Sequence, residues 1–194
     1  MSKTALTYRD YEAMPNDGRR YEIHDGELSV TPAPSPEHQR ILVNLLRALF
    51  AHIPSVAPGE ILPAPLDVIL SDKASETTIV QPDILYIAPD RMPRASRRGV
   101  EGGPTLAVEI LSPSTRTIDR GTKRALYERY DVPNLWIVDP DARTIEAFTL
   151  ERGRSSSRSA RRAARRSTSH PSPASASSPI ASGLDARMTE GRHG

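Results

Sequence analysis

Apolar and polar positions along this 194-residue chain follow two periods. Between residues 20 and 32 they alternate. Tyr21 and Ile23 precede Asp25-Gly26, and Leu28 and Val30 follow it, which predicts a β-hairpin. From Pro36 the period becomes helical. Ile41, Leu42, Leu45, Leu46, Leu49 and Phe50 make a wide apolar stripe, Ser35 fits the N-cap, Pro36 fits the first turn, and Glu37 complements the dipole. This predicts a helix over 36–52, ended by Pro54, Pro58 and Gly59. Tyr8, Tyr11 and Met14, at spacings of three, predict a short docking helix within 4–14.

The middle of the chain reads as strands that carry acids. EILPAPLDVIL predicts one strand, TIVQPDILYIAP a second and PTLAVEILS a third, with polar connections at 71–78 and 89–103. In the second, Asp83 shares a face with Leu85 and Ile87; in the third, Glu109 shares one with Ala107 and Leu111. Pro82 lacks a donor, so Asp83 sits at a strand entrance or a bulge. Small Ala107 leaves room beside Glu109 for a ligand. A carboxylate on a core strand is costly unless it is paired. Two of them ask for a cation, and a divalent metal is the simplest. The segment IDRGTKRALYERY predicts a helix over 119–131 with Asp119 as N-cap, and Lys123, Leu126, Tyr127 and Tyr130 share one face. LWIVDP and TIEAFTL predict two final strands joined at Pro140-Asp141.

Three residues have two readings each. Glu27 directly follows the Asp-Gly turn, where a solvated hairpin residue is the ordinary role. His38 points along the apolar stripe, as a hydrogen-bonded core residue or as part of a site. Lys123 leads an apolar stripe, either snorkelling to water or serving a site.

Composition removes several classes of function. The chain has no cysteine, so disulfides, thiolate metal sites and cysteine nucleophiles are excluded. No apolar run approaches the roughly 20 residues of a membrane span, and the first residues lack the apolar core of a signal peptide. A cytoplasmic protein is expected. The net charge of +2 hides an asymmetry. Residues 151–194 hold nine Arg and no Lys against three acids, a net +6. Residues 1–150 keep 17 basic against 21 acidic residues, a net −4. The Arg-, Ser-, Ala- and Pro-rich stretch from 151 cannot bury enough apolar surface to offset ordering, so a disordered tail is expected.

The segments YEIHDGEL, SPEHQRILVNLLRAL, VQPDILYI, LAVEILSPST and LWIVDP, with a helical lysine before a tyrosine, occur here in one order. That order resembles the Uma-two-type family of putative restriction endonucleases, within the PD-(D/E)XK nuclease superfamily. The resemblance covers residues 5–150. It implies an α+β (α/β) fold with a restriction-endonuclease-like core, a mixed central sheet flanked by helices. It implies Asp83 and Glu109 as catalytic ligands of Mg²⁺ or Mn²⁺, with the Ile110 backbone carbonyl as a third ligand, and DNA as the substrate. The superfamily pattern has a lysine two residues after the second acid, where this chain has Leu111. Lys123 on the following helix would supply that cation, orienting or deprotonating the attacking water. Glu27 of the DGE segment and His38 match further family positions. A homodimer that cuts both strands is expected by analogy, and no membrane partner. The alternative is a catalytically inactive protein of the same fold that binds nucleic acid or assists a mobile element. The likeness is expected to stop near Gly153, where a frameshift in the gene would account for the tail.

Overall fold

The structure is a computed structural model and describes residues 4–56, 58–151 and 154–158. Helix α1 (Tyr8–Glu12) starts at a capping box formed by Thr7 and Asp10. Strands β1 (Arg20–His24) and β2 (Glu27–Thr31) form the expected hairpin, with Asp25 and Gly26 both at positive φ, as a tight hairpin turn requires. Helix α2 (Pro36–Val56) follows, with the His38 N–H donating to the Ser35 hydroxyl. It runs past Pro54, four residues beyond the expected end.

Two of the sequence-read strands are each broken in two. EILPAPLDVIL becomes β3 (Glu60–Pro63) and β4 (Val68–Ser71), and TIVQPDILYIAP becomes β5 (Thr78–Val80) and β6 (Ile84–Ile87). The breaks fall at Pro63 and Pro65 in the first and at Pro82 in the second. Prolines cannot donate to a ladder, so the chain leaves one sheet there and enters another. A 3₁₀ turn (Pro89–Arg94) and two short strands, β7 (Ala95–Ser96) and β8 (Gly99–Glu101), fill the segment expected to be a loop.

Strand β9 (Leu106–Ile110) leads into one helical stretch made of α3 (Arg116–Ile118), a π-helical turn (Asp119–Lys123) and α4 (Arg124–Arg129). The stretch starts three residues before the expected helix, so Asp119 lies inside it and is not the N-cap. Strands β10 (Asn134–Asp139) and β11 (Thr144–Glu151) form the last expected hairpin. A further strand, β12 (Arg154–Arg158), pairs antiparallel with β11. No strand was expected there; β12 covers the β11 edge. The rest of the expected tail lies outside the described residues.

The α+β architecture has a mixed sheet flanked by helices, and a second sheet beside it. One six-stranded sheet has the order β2-β1-β5-β4-β8-β7, the other β12-β11-β10-β9-β6-β3. Side chains alternate across the second sheet. Ile84, Tyr86, Val108, Ile110 and Val138 pack with Leu42 and Leu49 of α2. Leu85, Ile87, Ala107, Leu111, Leu135 and Ile137 face the other way, onto Val68 and Val80 of the first sheet and Leu126 and Tyr127 of α4. At roughly 1.5–3 kcal/mol for each fully buried side chain, these two layers fix α2 and α4 on opposite faces of that sheet. The apolar stripe of α2 is narrower than its sequence suggests, since Phe50 is 52% exposed.

Candidate active site

The site forms where the chain crosses between the two sheets. Gln81-Pro82-Asp83 links β5 of the first sheet to β6 of the second. Strands β6 and β9 are antiparallel, with Ile84 opposite Val108 and Leu85 opposite Ala107. The same register continued by one residue sets Asp83 opposite Glu109. The helical stretch above brings Asp119 and Lys123, one turn apart, to the same place. From the first sheet, β1 contributes Arg20 and Glu22.

These six side chains line one cavity of about 230 Å³, together with His38, Gln81 and Ile110. That volume holds several waters, so an ion with part of its hydration shell fits. Glu22, Asp83, Glu109, Asp119 and Lys123 are each 3–4% exposed.

Lys123 is the hub. Its Nζ lies 2.7 Å from Glu109 Oε1, 3.1 Å from Glu22 Oε1 and 3.7 Å from Asp119 Oδ1. Burial alone would lower its pKa, but Glu109, Glu22 and Asp119 outweigh burial and hold the ammonium charged well above its ordinary range. Burial also opposes ionisation of Glu22, but Lys123 and His24 overcome it and bring that carboxyl down to about 2. Glu22 further accepts the Gln81 N–H at 2.6 Å and meets His24 Nε2 at 3.2 Å.

Asp83 and Glu109 have opposite electrostatics. Burial raises the Asp83 carboxyl, but His38 and Arg20 reverse this and leave it below its ordinary value. Arg20 Nη1 lies 2.7 Å from Oδ1, His38 Nε2 lies 3.1 Å from Oδ2, and the Ile110 N–H donates to Oδ2 at 2.8 Å. Glu109 accepts from the Tyr127 hydroxyl as well as from Lys123. Burial, with Asp119, Asp83 and Glu22 adding repulsion, pushes its carboxyl well above the carboxylate range despite Lys123. Burial likewise raises Asp119.

The donor set suits a divalent ion. Four buried carboxylates face two fixed cations, Lys123 and Arg20, and the raised carboxyls of Glu109 and Asp119 show that a further positive charge would be needed to ionise all four. Carboxylate and carbonyl oxygens are the hard donors that Mg²⁺ or Mn²⁺ prefers. Among the described residues no group of three or more His, Asp or Glu is already set around an ion position. The carboxylates close instead on Lys123, Arg20 and His38, so an ion would compete with those contacts.

The structure brings Asp83, Glu109, Lys123, His38 and Ile110 to one cavity. It does not bring Glu27, which is exposed on β2 and outside the cavity lining. Glu22, five residues earlier on β1, holds the place expected for it, because β1 and not β2 pairs with β5. Sequence reasoning missed Glu22, Arg20, Tyr127 and the inward turn of Asp119. One signal for Asp119 was available: its i, i+4 spacing from Lys123 puts both on one helical face.

The Uma2 family model, described as putative restriction endonuclease, matches residues 8–181. The chain therefore belongs to the Uma2 family, and the match continues past the point where the likeness was expected to stop. A crystal structure described as a putative nuclease belonging to DUF820, from Anabaena variabilis ATCC 29413, is similar at a TM-score of 0.63 and 18% identity. The likeness covers 78% of this chain and 83% of that one, and at that identity it shows the fold. No curated protein matches the chain. Among the described residues no helix is long and apolar enough to cross a membrane.

Proposed function

We propose that the protein is a metal-dependent endonuclease that hydrolyses DNA phosphodiester bonds in the cavity between the two sheets. The observation that carries this reading is the convergence of Asp83, just before β6, Glu109 of β9 and Lys123 of the π-helical turn on one cavity lined by four buried carboxylates. Asp83, Glu109 and the Ile110 carbonyl would hold Mg²⁺ or Mn²⁺. A residue's N–H and C=O leave a strand on the same edge, and the Ile110 N–H already turns to Asp83. When bound, the ion would lower the pKa of water and offset charge on the phosphoryl transition state.

The protein's own groups supply position. Lys123 is held as an ammonium by three carboxylates, so it orients water or phosphate by donating and does not take up the proton. Tyr127 donates to the same Glu109 oxygen that meets Lys123 and so fixes that carboxyl, and His38 fixes Asp83. DNA is the partner on this reading, the cytoplasm its place, and a homodimer the simplest way to cut both strands. A second reading, a protein of this fold that binds nucleic acid without turnover, draws on the carboxylates being closed on protein cations rather than around an ion position.

Relaxation of supercoiled plasmid, followed on a gel, tests the proposal. The wild type is expected to nick or linearise DNA with Mg²⁺ or Mn²⁺ and not with EDTA, and Asp83→Asn and Glu109→Gln to abolish cutting. DNA retention without cutting by the wild type favours the second reading. Cutting that survives both substitutions refutes the site.

A further inference from the structure

The cavity has two kinds of lining. Its buried part is carboxylate, shared mainly by Lys123. Its more accessible part carries hydroxyls, from Ser29 and Thr31 on β2 and from Ser112, Ser114 and Thr115 after β9. Arg20 belongs to both. Its side chain is 19% exposed, and its Nη1 donates to Asp83 Oδ1 at 2.7 Å. Asp83 is the one partner of Arg20 among the described residues. A guanidinium presents five N–H donors in a planar fork, so most of this donor set is unused.

We propose that Arg20 is the phosphate-binding residue of this cavity, held on Asp83 until a divalent ion takes that carboxylate and then donating to the scissile phosphodiester. The inference rests on the nuclease reading above. Asp83 Oδ2 meets both His38 and the Ile110 N–H, whereas Oδ1 carries Arg20 alone, so an ion that binds Asp83 takes Oδ1 and competes there with Arg20. The displaced fork matches two phosphate oxygens, a geometry that a lysine ammonium cannot reproduce. Lys123 is the poorer candidate because Glu22 and Asp119 still hold it when the ion takes Glu109. Binding of ion and of DNA then reinforce each other, and the coupling is reciprocal.

The test measures binding, not turnover. Anisotropy of a fluorescent phosphorothioate duplex, in EDTA and in Ca²⁺, gives DNA affinity; calorimetry gives Ca²⁺ affinity in the absence of DNA. Ca²⁺ takes the same oxygen ligands. In the wild type Ca²⁺ is expected to tighten DNA binding at least about fivefold. Arg20→Gln is expected to lose that enhancement while binding Ca²⁺ alone as tightly as the wild type or more so. Arg20→Lys, which keeps Asp83 paired, is expected to melt with the wild type and to bind DNA between the two. An Arg20→Gln variant that loses Ca²⁺ affinity shows that Arg20 only supports Asp83 and overturns the proposal. Wild-type DNA affinity in both variants overturns it too, while leaving the nuclease reading intact. A wild type that binds neither Ca²⁺ nor DNA overturns both.

Discussion

Replacing Lys123 with Met removes a buried cation from between three carboxylates and keeps nearly the same volume. Glu109 at 2.7 Å and Glu22 at 3.1 Å lose an ion pair outright, and Asp119 at 3.7 Å loses a weaker one. Breaking one partner of a buried pair costs about 3–5 kcal/mol, because the remaining charge stays desolvated. For a folded unit of this size that lowers the melting temperature by about 6–20 °C. The loss depends on pH in a defined direction. Glu109 and Asp119 already have raised carboxyls, by burial first, and without Lys123 they rise further. A group with a raised carboxyl holds its proton when folded and gives it up when unfolded, so stability falls as pH rises above the ordinary carboxylate value. Lys123 itself, raised above an already high value, contributes a constant amount across pH 5–9 and supplies no opposing slope. The penalty in Lys123→Met should therefore be largest near pH 8 and shrink toward pH 5. A divalent ion should restore the variant more than it stabilises the wild type, since it supplies the missing positive charge. Scanning calorimetry in EDTA and in Mn²⁺, at several pH values, reads all three effects. A variant melting within about 2 °C of the wild type at pH 8, or a penalty that grows on acidification, refutes the reasoning.

Glu22→Gln should lower plasmid cutting by about tenfold or more, since Glu22 loses a charged contact to Lys123, whereas Glu27→Gln on the exposed face of β2 should cut like the wild type; gel rates on the two variants decide this. Asp139 should act as an acid-sensitive tie. The Ala142 N–H first, and then Arg116 and Arg120, overcome burial and bring its carboxyl from an ordinary 3.8 to about 2. Its contribution, roughly 2 kcal/mol, is complete above the ordinary value and is lost as pH falls through the folded one. Urea titrations should show Asp139→Asn weaker than the wild type at pH 7, with the difference shrinking as pH falls toward the folded value. Gly99→Ala should destabilise by at least about 1–3 kcal/mol, because Gly99 has φ +126° and an added Cβ would lie 2.3 Å from the Asp67 carbonyl oxygen; thermal melting checks it.

Local chemistry made some elements legible. The Asp25-Gly26 turn, the Ser35-Pro36-Glu37 helix start and the apolar alternation around Asp83 and Glu109 each follow from neighbours within a few residues. The two-sheet division does not. It depends on Pro63, Pro65 and Pro82 ending ladders within runs that read as continuous strands, and on which edges then pair over long separations. Glu22 was invisible for the same reason. In an isolated hairpin its face is free to be solvated, and only the pairing of β1 with β5 buries it beside Gln81. Arg20 and Tyr127 join the site through contacts 63 and 18 residues distant in sequence. Asp119 was misplaced because Ser112 and Thr115 start the helical stretch earlier than a capping pattern at Asp119 suggests.

The central claim is that Asp83 and Glu109 share one ion. A crystal soaked in Mn²⁺ and measured at the manganese absorption edge tests it without reference to turnover. The account predicts one anomalous peak within about 2.0–2.3 Å of oxygens from both carboxylates, with Arg20 moved off Asp83. A peak bound elsewhere on the chain, or no peak while Lys123 and Arg20 keep their present carboxylate contacts, contradicts it.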